Sequence, residues 1–272
     1  MKKAIILIAL LTVSTYFYGQ VNKSILLSFN IGSSVSNLTN TDPAYRHDAY
    51  GRYIPIKTDL MDDLLFGFTF NVGGEYFLKK GLSITTSINY EKKGIFFNSD
   101  STYRNDLYNA TLIYTIVKKI ENHYLTIPIT VRMYFLQDKS LFVEAGFYSG
   151  LLIGSRRYFK EEKIAYYENG QESLTVFSFQ EKDNDNHTTK FDCGLTVGTG
   201  YKIALSEKIS LSSNLRFNYG LCKIDSKNSN EVIYTPNGIH LTMKTIKNYY
   251  GLNSFARNLN MTLTFGIVYE LY

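Results

Sequence analysis

Tryptophan is absent from this chain, proline occurs four times and cysteine twice. Tyr and Phe are plentiful by contrast, a profile that suits short strands ringed by aromatic residues better than a helical domain. Long apolar runs are missing after Gln20, because Ser, Thr, Asn, Gly or a charge breaks every later apolar segment within a few residues. That excludes a helix crossing a bilayer. No basic stripe is visible, and the formal charge of +5 includes Lys2 and Lys3, which is too weak a bias for a nucleic-acid partner. His and Cys never recur at zinc-ligand spacing, so no metal is expected. The Gly-x-Gly at Gly198 and Gly200 lies inside a strand-like stretch, which argues against phosphate binding. No cofactor is expected.

The chain opens with Lys2 and Lys3, continues through an apolar stretch from Ala4 to Val13, and reaches Gly19 and Gln20 after aromatic residues. This pattern reads as a secretory signal peptide, residues 1–19, cleaved near Gly19. The apolar run is about ten residues where a membrane span needs roughly 20. No cysteine follows it in position to carry a lipid. Residues 20–272 then form one domain of the larger all-β kind.

What is present in quantity is alternation. Segments 24–35, 65–78, 82–94, 124–136, 141–155, 189–205, 209–223 and 258–272 each set apolar residues against polar ones at period two. In the clearest of them, Phe191, Cys193, Leu195, Val197, Tyr201 and Ile203 oppose Asp192, Gly194, Thr196, Gly198, Gly200 and Lys202. The gaps between segments are alternately long and short. This predicts an all-β fold, an eight-stranded antiparallel up-and-down transmembrane β-barrel with long extracellular loops and short periplasmic turns. An even strand count puts both chain ends on the rim that carries the short turns. A soluble sandwich or lipocalin-like barrel also alternates, but buries its apolar face. The Gly, Asn, Glu and Arg content of the polar faces favours a narrow, hydrogen-bonded lumen.

Parity aims several charges into that lumen. The hairpin about Gln137 and Asp138 brings Arg132 opposite Glu144, and Arg216, Asp192, Glu75, Glu91 and Glu270 point into the same space. Because the interior of an eight-stranded barrel is just wide enough for its side chains, these read as an internal ion-pair plug. A proton or ion path is the alternative. Cys193 falls on an apolar face and Cys222 on a polar one, so the two thiols are predicted to stay unpaired. Pro128 is expected to mark a bulge or local defect in its strand.

The run Leu125-Thr126-Ile127-Pro128-Ile129 resembles the "L-x-I-P-[IL]" strand of the PorT-like outer-membrane β-barrel family. Phe191-Asp192-Cys193-Gly194-Leu195, followed by Gly198 and Gly200, is similar to that family's "F-D-x-G-L…G-x-G" strand. Gly146, Tyr148, Gly150 and Leu151 match a further element, and Arg216, Tyr219, Gly220 and Leu221 resemble its "R-x-x-Y-G-L" strand. The resemblance implies an outer-membrane barrel of a Gram-negative bacterium, in a family some of whose members are linked to protein secretion. It carries over no catalytic residues.

Segments 36–64, 95–123, 156–188 and 224–257 are predicted loops, far longer than hairpin connections, and a specific function is expected there. Within them 111–117, 174–179 and 239–246 look strand-like and read as extracellular extensions. His47, His123, His187 and His240 all fall in loops or at their edges. His123 beside Glu121 is the nearest approach to a catalytic pair, and reads as an exposed rim histidine. Three classes of function fit: a structural or interaction barrel whose loops bind another envelope protein or a surface ligand, an accessory factor in secretion or envelope biogenesis, and a lipid-modifying enzyme. The first is preferred, with no enzymatic activity, as a monomeric barrel with outer-membrane lipid around it.

Overall fold

A strand of strict alternation has one face that lipid tolerates and another whose polar groups need partners, and a closed sheet provides for both. The computed structural model of the protein closes in this way. It describes residues 25–41, 45–47, 53–55, 64–105, 109–135, 140–182, 188–224, 233–234, 240–241 and 252–271. In chain order the strands are β1 (Ile25–Thr41), β2 (Tyr45–His47), β3 (Tyr53–Pro55), β4 (Leu65–Lys79), β5 (Leu82–Asn105), β6 (Ala110–Tyr134), β7 (Leu141–Tyr167), β8 (Glu172–Lys182), β9 (Phe191–Ala204), β10 (Ile209–Gly220), β11 (Ile233–Tyr234), β12 (His240–Leu241) and β13 (Leu252–Glu270). Eight of them, β1, β4, β5, β6, β7, β9, β10 and β13, pair in that order, and β13 returns to β1.

All eight predicted crossings are these strands. Their apolar faces look outward: Phe70 is 41% exposed, Val197 51% and Phe265 57%, whereas Asn30, Thr69, Glu91, Thr126 and Asn260 are buried. The first and last described strands meet on one rim, where the Leu271 amide donates to Ile25 and the Glu270 amide to Lys208. The tight turn at Lys80 and Gly81 lies on the same rim, with Gly81 at φ 81°, a left-handed conformation that suits glycine.

Two predicted loops are largely strand. β5 and β6 run on as one hairpin through 95–123, and β7 continues to Tyr167 before β8 returns along it. Segment 111–117 belongs to β6, and 174–179 to β8. Alternation fades there because no lipid selects apolar residues on the outer face at period two, although Ala110, Leu112 and Ala165 still bury a small apolar cluster. Of segments 36–64 and 224–257, the pairs β2–β3 and β11–β12 show small hairpins. Most of 239–246 lies outside the described residues, as do His187 and the signal segment. Pro128 causes no bulge toward β5, since the register is the same at Thr86↔Ile129 and at Asn89↔Thr126. It leaves a gap in the ladder instead.

The reading of the cysteines is overturned. Cys193 and Cys222 form a disulfide, with Cα atoms 5.5 Å apart. β10 ends at Gly220, and the amides of both Leu221 and Cys222 donate to the Cys193 carbonyl, at 2.7 and 3.3 Å. Two residues thus oppose one, and the extra residue reverses the parity that had placed the thiols on opposite faces. Thiol labelling of the unfolded protein should therefore modify neither cysteine without reductant and both after reduction. Two reactive thiols in the unreduced protein would contradict the bridge.

Candidate functional site: the barrel lumen

The inward residues of the eight strands gather their charges into two groups. The periplasmic group is built around Arg132 of β6, whose cross-strand partner on β7 is Glu144. Arg132 donates from Nη2 to Glu144 Oε2 at 2.8 Å and from Nη1 to Glu75 Oε2 at 2.9 Å. Arg216 holds the other oxygen of Glu144, with Nη2 at 2.7 Å. Lys202 Nζ lies 2.7 Å from Glu75 Oε2, and Ser83 and Tyr134 donate to Glu75 Oε1. The Arg132 guanidinium also lies 3.8 Å from the centroid of the Phe142 ring.

The extracellular group is built around Lys93, whose side chain is fully buried. Its Nζ lies 3.1 Å from both Glu91 Oε2 and Asp192 Oδ2, and 4.3 Å from the centroid of the Tyr148 ring. Tyr148 and Asn258 donate to the same oxygen of Asp192, at 3.2 and 3.0 Å. Asn218 reaches from β10 across the lumen to Glu91 Oε1 at 3.4 Å.

The periplasmic group thus sets three cations, Arg132, Lys202 and Arg216, against two carboxylates, Glu75 and Glu144. In the extracellular group one cation, Lys93, faces two carboxylates, Glu91 and Asp192. The excess of one sign in each group offsets that in the other. Between them lies a polar cavity of about 40 Å³, bordered by Arg132, Arg216 and Glu91 together with Asn30, Asn71 and Asn214. That is room for a few water molecules. Toward the periplasm Leu26, Phe77, Tyr134, Phe142 and Val268 form an apolar floor.

Of the residues singled out in the sequence, the structure brings Arg132, Glu144, Arg216 and Glu75 into one group, and Asp192 and Glu91 into the other. Glu270 joins neither. It ends β13 at the rim, half-buried, with no ion pair among the described residues. Lys93 and Lys202 were missed as members of the network. Both follow from parity, since Lys93 is two residues beyond Glu91, and Lys202 shares a face with Gly198 and Gly200. Glycine makes space for the rings: a Cβ on Gly194 would stand 2.6 Å from Tyr148 Cε1, closer than side-chain atoms pack.

His123 sits outside the lumen, above the lipid-facing band, and pairs through Nδ1 with the Tyr90 hydroxyl at 2.6 Å. Burial lowers its pKa, and the nearby Arg156 and Lys92 add to that against the opposing pull of Glu121. Glu121 is itself held by Lys92 and Lys119 at 3.0 and 2.9 Å. Both groups are thus engaged with partners other than each other.

A family model described as an outer membrane protein beta-barrel domain matches residues 18–226. Among solved structures the chain is similar to the outer membrane protein OprG from Pseudomonas aeruginosa, at 10% identity and a TM-score of 0.41, with 92% of this chain and 97% of that one covered. It is similar to Ail, the attachment invasion locus protein of Yersinia pestis, at 9% identity and a TM-score of 0.32, covering 90% and 98%. The outer membrane protease OmpT from Escherichia coli is similar at 10% identity and a TM-score of 0.31, covering 93% and 99%. No curated protein matches the chain.

Proposed function

Because this chain belongs to the outer membrane protein beta-barrel domain family and so resides in the outer membrane, we propose that it serves there as a structural and interaction protein. In this reading the barrel is a plugged anchor and the sheet above it is the contact element. Within the family we take the chain to be PorT-like, on the motifs carried by β6, β7, β9 and β10. The observation that supports the interaction role is the sheet β5–β6–β7–β8, which continues past the barrel wall. Among the described residues its last strand, β8, pairs with β7 alone, so its other edge has backbone groups to offer a partner strand. Leu174 and Val176 on β8 are 65% and 50% exposed, on the part of the sheet that pairs with β7 beyond its barrel segment.

A photoreactive side chain placed at Leu174 or Val176 in growing cells should yield one protein adduct of defined mass, and the same group at Phe147 on the lipid-facing wall should not. Thr175→Pro, which removes a backbone donor from β8, should abolish the adduct while the barrel still assembles. Adducts to lipid alone, or an adduct indifferent to Thr175→Pro, would reject the interaction role. The plugged anchor is tested separately: the protein in planar bilayers should give no sustained conductance steps, and a steady open channel would contradict the plug.

A further inference from the structure

The outer wall changes character above β5 and β6. On the lipid-facing band Ile88, Leu125 and Leu151 are exposed. The Tyr90 ring stacks on Phe70 at 5.3 Å and packs against Phe68 at 5.2 Å, an aromatic girdle of the kind that marks a membrane interface. Directly above, Tyr90 bonds His123, and two residues further along β6 comes Glu121. One oxygen of Glu121 receives both Lys92 Nζ at 3.0 Å and Lys119 Nζ at 2.9 Å. Arg156 of β7 is its cross-strand partner and is exposed.

Two lysines therefore hold one carboxylate, and an exposed arginine stands across the strand pair from it, just above the aromatic girdle. Burial raises the Glu121 pKa, but hydrogen bonds from Lys119 and Lys92 outweigh that and hold it below the ordinary carboxylate range. Glu121 is thus an anion that takes up part of the lysine charge and leaves a surplus of positive charge facing outward. Side chains at this level lie about four residues above Leu125, or roughly 13 Å along the strand. Acyl chains lying on Ile88, Leu125 and Leu151 would carry a headgroup to Lys119 and Arg156.

We propose that Lys119, which shares Glu121 with Lys92, and Arg156 on the neighbouring strand bind the phosphate of an outer-leaflet lipid whose acyl chains lie on the wall below. A guanidinium and an ammonium on adjacent strands suit phosphate oxygens, the first as a planar fork and the second as a point charge.

The test is native mass spectrometry of the full-length protein released from detergent, with a bis-phosphorylated glycolipid of the lipid A type and the same lipid after dephosphorylation. The protein should keep the phosphorylated lipid at collision energies that strip the dephosphorylated one. Lys119→Gln with Arg156→Gln should lower that retention about tenfold, as the loss of charge-assisted bonds implies. Glu121→Gln, which removes the competing carboxylate, should raise it. Equal retention of the two lipids, or a double variant that holds lipid as the parent does, would overturn the proposal. Displacement of the lipid by millimolar inorganic phosphate would assign the site to free phosphate and overturn it too. Should the double variant fail to assemble, judged by heat-dependent gel mobility, the two lipids compared on the parent protein and on Glu121→Gln decide the matter.

Discussion

Glu144→Ala is expected to destabilise the folded barrel by about 3–5 kcal/mol, the cost typical of breaking a buried ion pair from one side. The Glu144 side chain is 1% exposed and is shared by two arginines, one on each oxygen. Without it, among the described residues, Arg132 keeps Glu75 alone, a carboxylate that Lys202 also uses, and Arg216 loses its carboxylate. Three cations would then face one anion in a space closed below by the apolar floor. Equilibrium unfolding in urea from lipid vesicles, followed by circular dichroism and gel mobility, measures the loss. A loss below about 1 kcal/mol, the range of an exposed pair, would show that water reaches these groups and that the lumen is not sealed around them.

Lys93→Met should be comparably damaging, with the opposite sign of charge left behind. Glu91 and Asp192, both buried, would face each other with no cation between them, and the contacts of the ammonium with the Tyr148 and Tyr124 rings would go as well. The decisive comparison adds Glu91→Gln and Asp192→Asn to Lys93→Met. Removing all the charges of a buried group is commonly close to neutral, because the desolvation cost goes with them. The triple variant should therefore regain most of the stability that Lys93→Met loses. If it proves no better, the fault in the single variant lies in packing around the methionine rather than in unpaired carboxylates.

These two experiments also address why the charges are present. An apolar core of equal volume would serve stability as well, yet cation and anion recur on facing strands, and each group balances the other's excess. Such an arrangement favours one register of the closed sheet, since a slip by one residue would turn Arg132, Glu144 and Asp192 to the lipid.

The strands that touch lipid were legible in the sequence because the bilayer imposes one rule on every second residue. β9 and β4 obey it for their whole length, and their bounds were read to within a few residues. Where β5, β6 and β7 climb into water the rule lapses, and 95–123 looked like a loop. The lumen charges on single strands followed from the same parity, down to the pairing of Arg132 with Glu144 across one hairpin. Lys93 is harder to place from sequence, because the alternating segment 82–94 ends one residue beyond it.

By itself, then, the sequence determined which face of each strand meets lipid, how many strands cross, and which charges turn inward, since period-two alternation is a local property of the backbone. Only closure of the sheet decided which charges meet: Lys202 reaches Glu75 from 127 residues away, and Asn218 reaches Glu91 over the same span. The disulfide belongs to that second class as well. One bulged residue after Gly220 changes the side to which Cys222 points, and a bulge comes from how two strands settle against each other.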